Sequence, residues 1–208
     1  CTDKKPTSVD SDSVDTTAAV AVADNVYAIR PVPQQQERLQ GVATLAGQVN
    51  VVAGAGIDGY TIDRAKEGDV LVVDVGGAPV AVWGELATHS AMVMGVKGIV
   101  IDGAIRDIDD IRDLGFPAFS RTVAPCAGEP KGYGGIGIEV TVGGQRVRTG
   151  DWIVGDECGL VVIPKEVAVE VANRALDVHE RENRTREEIE RGSTLSKVNE
   201  LSKWEPVN

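Results

Sequence analysis

"KGIVIDGAIRDIDDIRDLG", residues 97–115, decides how the chain is read. "GIVI" is a short apolar, β-branched run of the kind that forms a buried strand, and it ends at Asp102 with a turn at Gly103. "DIDDIRDLG" has apolar residues at Ile108 and Ile111, acids in its first turn and a stop at Gly115, which reads as a short helix. A strand that feeds a helix is the unit of an α/β sheet, and such sheets place their chemistry at the carboxyl ends of strands. Arg106 and Asp107 fall at that junction. Asp107 is a good N-cap, and Asp109 and Asp110 suit the positive end of a helix dipole. Arg106 is left over, because a cation beside a helix start is disfavoured. Anionic neighbours or an anionic ligand would account for it.

A second junction lies just upstream. In "VAVWGELATHS" a strand ends at Gly84, chosen for backbone freedom, and a helix opens directly with Glu85 in its first turn. The free N–H groups of Glu85, Leu86 and Ala87 would point off that helix start, where a carboxylate or phosphate is favoured. If the two strands are neighbours, the amides, the Arg106 guanidinium and the carboxylates converge at one sheet edge. That arrangement suits a hard divalent cation and a small oxyacid.

Similar elements continue on both sides. "VATLAGQVNVV" reads as a bent strand or strand pair, "YTIDRAKEG" as a short helix stopped by Gly68, "DVLVVDV" as a buried strand, and "ELATHSAMVMG" as a helix stopped by Gly95. "FPAFSRTVAP" is a further strand. "IEVTVGGQRVRTGDWIVGDECGLVVIP" reads as consecutive strands, with Gly143-Gly144 as a hairpin signal. After Pro164 a long helix runs from about Lys165 to Arg191 and stops at Gly192. Its first half carries Val167, Val171, Ala175 and Val178 at helical spacing. In its second half, nine of the twelve residues from Glu180 to Arg191 are charged, with acid-before-base pairs Glu180–Arg184, Glu182–Arg186 and Glu187–Arg191. These elements define a mixed α/β domain over residues 16–192, with a disordered leader over 1–15 and a tail over 193–208. Within the domain, "TTAAVAVADNVYA" reads as a short helix and "IRPVPQQQERLQG" as a connector.

The charge excludes some partners. With 32 Asp and Glu against 21 Lys and Arg, the net charge of −11 opposes non-specific binding to nucleic acid or an anionic membrane. No apolar stretch approaches the roughly 18 residues of a spanning helix, and a cytoplasmic location is the default expectation. Cys1, Cys126 and Cys158 lack metal-site spacing and read as reduced, mostly buried thiols. His89 and His179 read as structural residues within helices, without partners at ligand spacing. "GAGIDG" fits the GxGxxG dinucleotide pattern, with Asp74 twenty residues after Gly54. The helix that follows is too short for that fold, however, and no second nucleotide-binding half comes after it.

"GELATHSAMVMGVKGIVIDGAIRD", "LGFPAFSR", "VGGQRVRTGDWIVGDECGLVVIP" and "ENRTR" together resemble the RraA-like family, in particular its class II 4-hydroxy-4-methyl-2-oxoglutarate/4-carboxy-4-hydroxy-2-oxoadipate aldolase branch. The branch's Arg-Asp-x-x-Asp/Glu pattern is matched by Arg106, Asp107 and Asp110, and the resemblance covers about residues 60–190. It implies a swivelling-domain-like α/β sandwich in a homotrimer or hexamer, with the site shared between subunits. It further implies a lyase that releases pyruvate from a 4-hydroxy-2-oxo acid, with oxaloacetate decarboxylation as a side activity. Asp107 would hold Mg²⁺ or Mn²⁺, or another divalent cation, directly, with Asp110 reaching it through water. Backbone amides of Gly84, Glu85, Leu86 and Ala87 would take the substrate carboxylate, and Arg106 would stabilise the C2 oxyanion. Glu85 is the candidate acid–base group, with Glu182 of an adjacent subunit in support. No lysine sits in this constellation, so a Schiff base is not expected. The alternative is a non-catalytic RraA-type regulator of ribonuclease activity acting by protein contact, from which the intact Arg106–Asp107 pair points away.

Overall fold

Every residue from Gly98 to Ile105 is buried, so this segment must lie inside a sheet with both faces covered. The structure is a computed structural model that describes residues 27–29, 45–53, 59–128 and 134–200. Among these the strands are β1 (Tyr27–Ile29), β2 (Leu45–Ala53), β3 (Asp69–Asp74), β4 (Ala81–Trp83), β5 (Gly98–Ile105), β6 (Ala118–Val123), β7 (Gly135–Ile136), β8 (Val140–Val142), β9 (Gln145–Val147), β10 (Trp152–Asp156) and β11 (Gly159–Ile163). The helices are α1 (Gly59–Ile62), α2 (Glu85–Val93), α3 (Ile108–Asp113), α4 (Ala168–Glu190) and α5 (Leu195–Val198). The leader at 1–15, the connector after Ile29 and most of the GAGIDG stretch (54–58) lie outside the described residues.

Nine strands form one mixed sheet in the order β1-β11-β10-β2-β3-β5-β4, with β6 added to β5 and β7 to β2. The β2, β3, β5, β4 and β6 pairings are parallel, while β1, β11 and β10 add an antiparallel flank. Alternate residues of the parallel strands serve two separate cores. Leu71, Val73, Ile99 and Ile101 face one core with Trp83, Ala91, Ile111 and Phe116. Val70, Val72 and Val100 face the other with Ile153, Val162 and the hairpin residues Val140, Val142 and Val147. That hairpin, β8–β9, turns through Gly143 and Gly144 at φ 58° and 81°, the doubly positive turn its Gly-Gly signal predicts. The result is the α/β sandwich with mixed sheets and a long C-terminal helix expected from the sequence.

The structure departs from the sequence reading at several places. The strand predicted to stop at Asp102 runs on to Ile105, because Gly103 lacks the Cβ that would collide with the Val75 side chain. Tyr27 and Ala28, read as the end of a helix, belong to β1 and pair with β11 at Val162 and Val161. Helix α4 starts at Ala168 rather than Lys165, after a turn in which Val167 N–H donates to Pro164 O. Cys126, in the irregular stretch after β6, and Cys158 are exposed rather than buried. Cys158 occupies the β10–β11 turn, where its N–H donates to Asp156 Oδ1 at 2.7 Å.

The described residues separate into two compact units, one ending at Val171 and one starting at Ala172. In the second unit, Glu187 and Arg191 pair at 3.3 Å as their spacing predicts, whereas Arg186 donates to Asn183 Oδ1 rather than to Glu182. Gly192, at φ 99°, closes α4. Among the described residues no helix is long and apolar enough to cross a membrane.

Candidate active site

Strands β4 and β5 run side by side and in parallel, with Trp83 opposite Ile105 and Arg106 N–H donating to Trp83 O at 2.9 Å. Gly84 and Glu85 therefore leave one strand next to the point where Arg106 and Asp107 leave the other, at the carboxyl end of the sheet. The α2 start is fixed from beneath. Buried Thr88 donates through Oγ1 to Gly84 O at 3.0 Å and accepts Trp83 Nε1–H at 2.8 Å.

Asp107 does not cap its own helix. It stands at the N-cap position of α3 without a side-chain cap bond, in the left-handed region at φ 56°, ψ 41°. For a residue with a Cβ that conformation costs about 1–2 kcal/mol. It turns the carboxylate across to α2, where Oδ2 accepts the Glu85 N–H at 3.1 Å. Arg106 Nε lies 3.6 Å from the same oxygen, and both side chains are partly exposed. Gly84 is required for close approach rather than for an unusual backbone, since its φ of −158° is ordinary extended chain. A Cβ there would stand 2.5 Å from Asp107 Oδ2 and 3.1 Å from Arg106 Cγ.

Gly84, Glu85, Leu86, Ala87, Arg106 and Asp107 thus share one strand-end corner. Of the four amides read as carboxylate receivers, that of Glu85 is engaged by Asp107. Leu86 and Ala87 N–H precede the first intrahelical donor, Thr88, and remain for a ligand. Asp110 is exposed on the first turn of α3, and Asp109 beside it pairs with Arg112 at 3.0 Å. Glu182 is exposed on α4, in the other unit. His89, read as a structural residue without a partner at ligand spacing, lies with Nε2 2.9 Å from Glu85 Oε1. The i,i+4 spacing of Glu85 and His89 was the available signal.

Among the described residues no three His, Cys, Asp or Glu side chains converge as a metal cage. One carboxylate with one oxygen already engaged fits only a cation that keeps most of its ligands as water or substrate. Mg²⁺ behaves that way, and Mn²⁺ shares its preference for oxygen donors.

A second carboxylate network lies on the same strand and went unnoticed in the sequence. Asp102, 6% exposed, accepts Arg121 Nη2 at 2.7 Å and a second guanidinium bond from Nε. Gly143 N–H from the hairpin turn donates to it at 2.8 Å. Burial pushes its pKa up, but the Arg121 and Gly143 hydrogen bonds and the Arg121 charge outweigh that, and the group sits below its ordinary value. Asp74, its register partner on β3, accepts the N–H groups of Gly76 and Thr141. Asp74 was the acid that a dinucleotide site would have needed for a ribose hydroxyl, and its oxygens serve backbone amides instead.

A parallel-cored α/β sandwich with a helix start, an arginine and a carboxylate at one strand end defines the class to which the chain belongs. The family model described as Aldolase/RraA matches residues 17–162, and the chain is a member of this RraA-like family. An uncharacterized protein of Methanocaldococcus jannaschii is 44% identical over 140 residues, 66% of this chain and 67% of that one. A Halalkalibacterium halodurans protein named "Putative 4-hydroxy-4-methyl-2-oxoglutarate aldolase" is 40% identical over 113 residues, and the match spans 54% of its length. Among solved structures, an uncharacterized protein from Pseudomonas syringae superposes with a TM-score of 0.71 at 32% identity, covering 78% of this chain and 81% of that one. The RNA-processing inhibitor RraA from Thermus thermophilis superposes with a TM-score of 0.56 at 27% identity, covering 61% and 80%.

Proposed function

We propose that the chain is a divalent-cation-dependent pyruvate aldolase, a carbon–carbon lyase. Its substrate would be 4-hydroxy-4-methyl-2-oxoglutarate or a related 4-hydroxy-2-oxo acid, cleaved to pyruvate and a second oxo acid. The observation that supports this most is the single corner holding the Leu86 and Ala87 N–H groups, Arg106 and the strained Asp107. The name of the Halalkalibacterium relative points the same way.

Each residue has a role in that reaction. The two amides at the α2 start receive the substrate carboxylate, where the helix dipole favours an anion. Asp107 would hold Mg²⁺ or Mn²⁺, with Asp110 reaching it through water, and such an ion supplies Lewis-acid polarisation of the 2-oxo acid. As the C3–C4 bond breaks, the C4 hydroxyl gives its proton to the water held by Glu85 and becomes the carbonyl of the second oxo acid. The electron pair of the bond moves toward the C2 oxygen. Arg106 stabilises the charge that develops there. The enolate then takes a proton at C3 to give the pyruvate methyl group, from a water positioned by Glu85. The same enolate forms when oxaloacetate loses CO₂, so decarboxylation accompanies the main reaction. A homotrimer or trimer-based hexamer, with the charged stretch of α4 laid on a neighbour and its Glu182 in support, completes the proposal, and sedimentation of the full chain reads the assembly.

The test is pyruvate release from a panel of 4-hydroxy-2-oxo acids with and without EDTA. Release that EDTA abolishes and Mg²⁺ or Mn²⁺ restores is the expected result. Full turnover in EDTA overturns the cation-dependent mechanism. No release from any substrate overturns the aldolase and leaves the contact-regulator alternative.

A further inference from the structure

Glu85 is held at two points. Its N–H is bonded to Asp107 Oδ2 at 3.1 Å, and its carboxylate Oε1 lies 2.9 Å from His89 Nε2, one turn along α2. The first bond fixes the backbone and leaves the side-chain torsions free. The second fixes where the carboxylate goes. His89 is 54% exposed, so it fills no core, and an exposed pair of this kind adds little to stability. What it does contact is the one pocket residue assigned to proton handling.

We propose that His89 is a positioning residue for Glu85. By donating Nε2–H to Oε1 it selects one carboxylate rotamer and leaves Oε2 for the water that serves C3. The neutral imidazole is sufficient, and His89 itself touches no reacting atom. The inference rests on the aldolase reading of the same corner. Small displacements of a catalytic group are costly, with about 1 Å able to remove about 10²-fold in rate, so a loosened Glu85 has a measurable signature.

The experiment compares His89→Leu and His89→Gln with the wild type in pyruvate release. It also measures oxalate binding in the presence of Mg²⁺, oxalate being a flat mimic of the pyruvate enolate. His89→Leu is expected to lower kcat about tenfold or more, part of the about 10²–10⁴-fold that an acid–base group contributes, while KM and oxalate affinity hold. His89→Gln, whose side-chain N–H₂ can donate to Oε1, is expected to recover most of that loss. In a Glu85→Gln background, His89→Leu should add no further loss. Wild-type kcat in His89→Leu, no recovery in His89→Gln, or a matching fall in oxalate affinity would each overturn the inference while leaving the aldolase standing. Absence of pyruvate release by the wild type overturns the aldolase reading and this inference with it.

Discussion

Asp102 and Asp107 lie five residues apart in the chain, and their surroundings could hardly differ more. Asp102 is nearly sealed from solvent, its oxygens taken by a guanidinium and a hairpin amide. Asp107 is partly exposed, sits in a left-handed conformation that disfavours it, and has one oxygen engaged by a neighbouring helix. A carboxylate with both oxygens matched inside the fold holds structure together. One kept half-matched and strained at an open corner is available for chemistry.

The largest effects that could break this contrast are on activity. Asp107→Gly should lower pyruvate release by about 10²–10³-fold, the range for losing one preorganised group. Stability should stay within about 1 kcal/mol, because glycine relieves the left-handed backbone while the Glu85 cap is lost. Thermal unfolding and turnover on one sample check both halves, and a stability collapse would place Asp107 with Asp102 as a structural group. Arg106→Lys should lose a similar factor, since lysine keeps the charge but not the planar fork. A loss of less than about tenfold, some 1.4 kcal/mol of barrier, would remove Arg106 as the oxyanion partner.

Asp102→Ala should show the reverse pattern. Arg121 would be left without its partner, and breaking a buried pair costs about 3–5 kcal/mol; because the Arg121 side chain is 36% exposed, about 2–3 kcal/mol is expected here. Denaturant titration reads it. Thr88→Val comes next, at about 1–3 kcal/mol, because it leaves the buried Trp83 N–H without its acceptor.

The smallest effect is on acid stability. Asp102 has its pKa lowered in the fold. Its contribution is present above the unfolded carboxylate value of about 3.9 and is lost as pH falls through the lower folded value. Unfolding temperature should therefore fall more steeply below about pH 4 in the wild type than in Asp102→Asn. Equal slopes would show that Asp102 is not the group responsible.

Much of this corner was legible because it is local. The apolar run of β3, the stops at Gly95 and Gly115, and a glycine followed directly by a helix at Glu85 all follow from neighbours in sequence. The parts that escaped depend on contacts between distant residues. That Asp107 would cap α2 rather than α3 depends on β4 and β5 lying side by side, 22 residues apart in sequence. Gly103 looked like a turn because the Val75 side chain that fills its missing Cβ comes from just past the end of β3, a distant stretch of the sequence. Asp102 found its partners 19 and 41 residues away, beyond the reach of any local pattern.

The β8–β9 hairpin is a two-stranded sheet of its own, built from purely local pairing, and a hairpin of its kind closes in about 1–10 μs. Its anchors, Asp74 and Asp102, exist as a pair only once β3 and β5 are in register. The hairpin can therefore form early but dock only late, as a clasp on a finished sheet. Its Gly143 N–H becomes a natural reporter in amide exchange, protected only in molecules whose central strands have already zipped together.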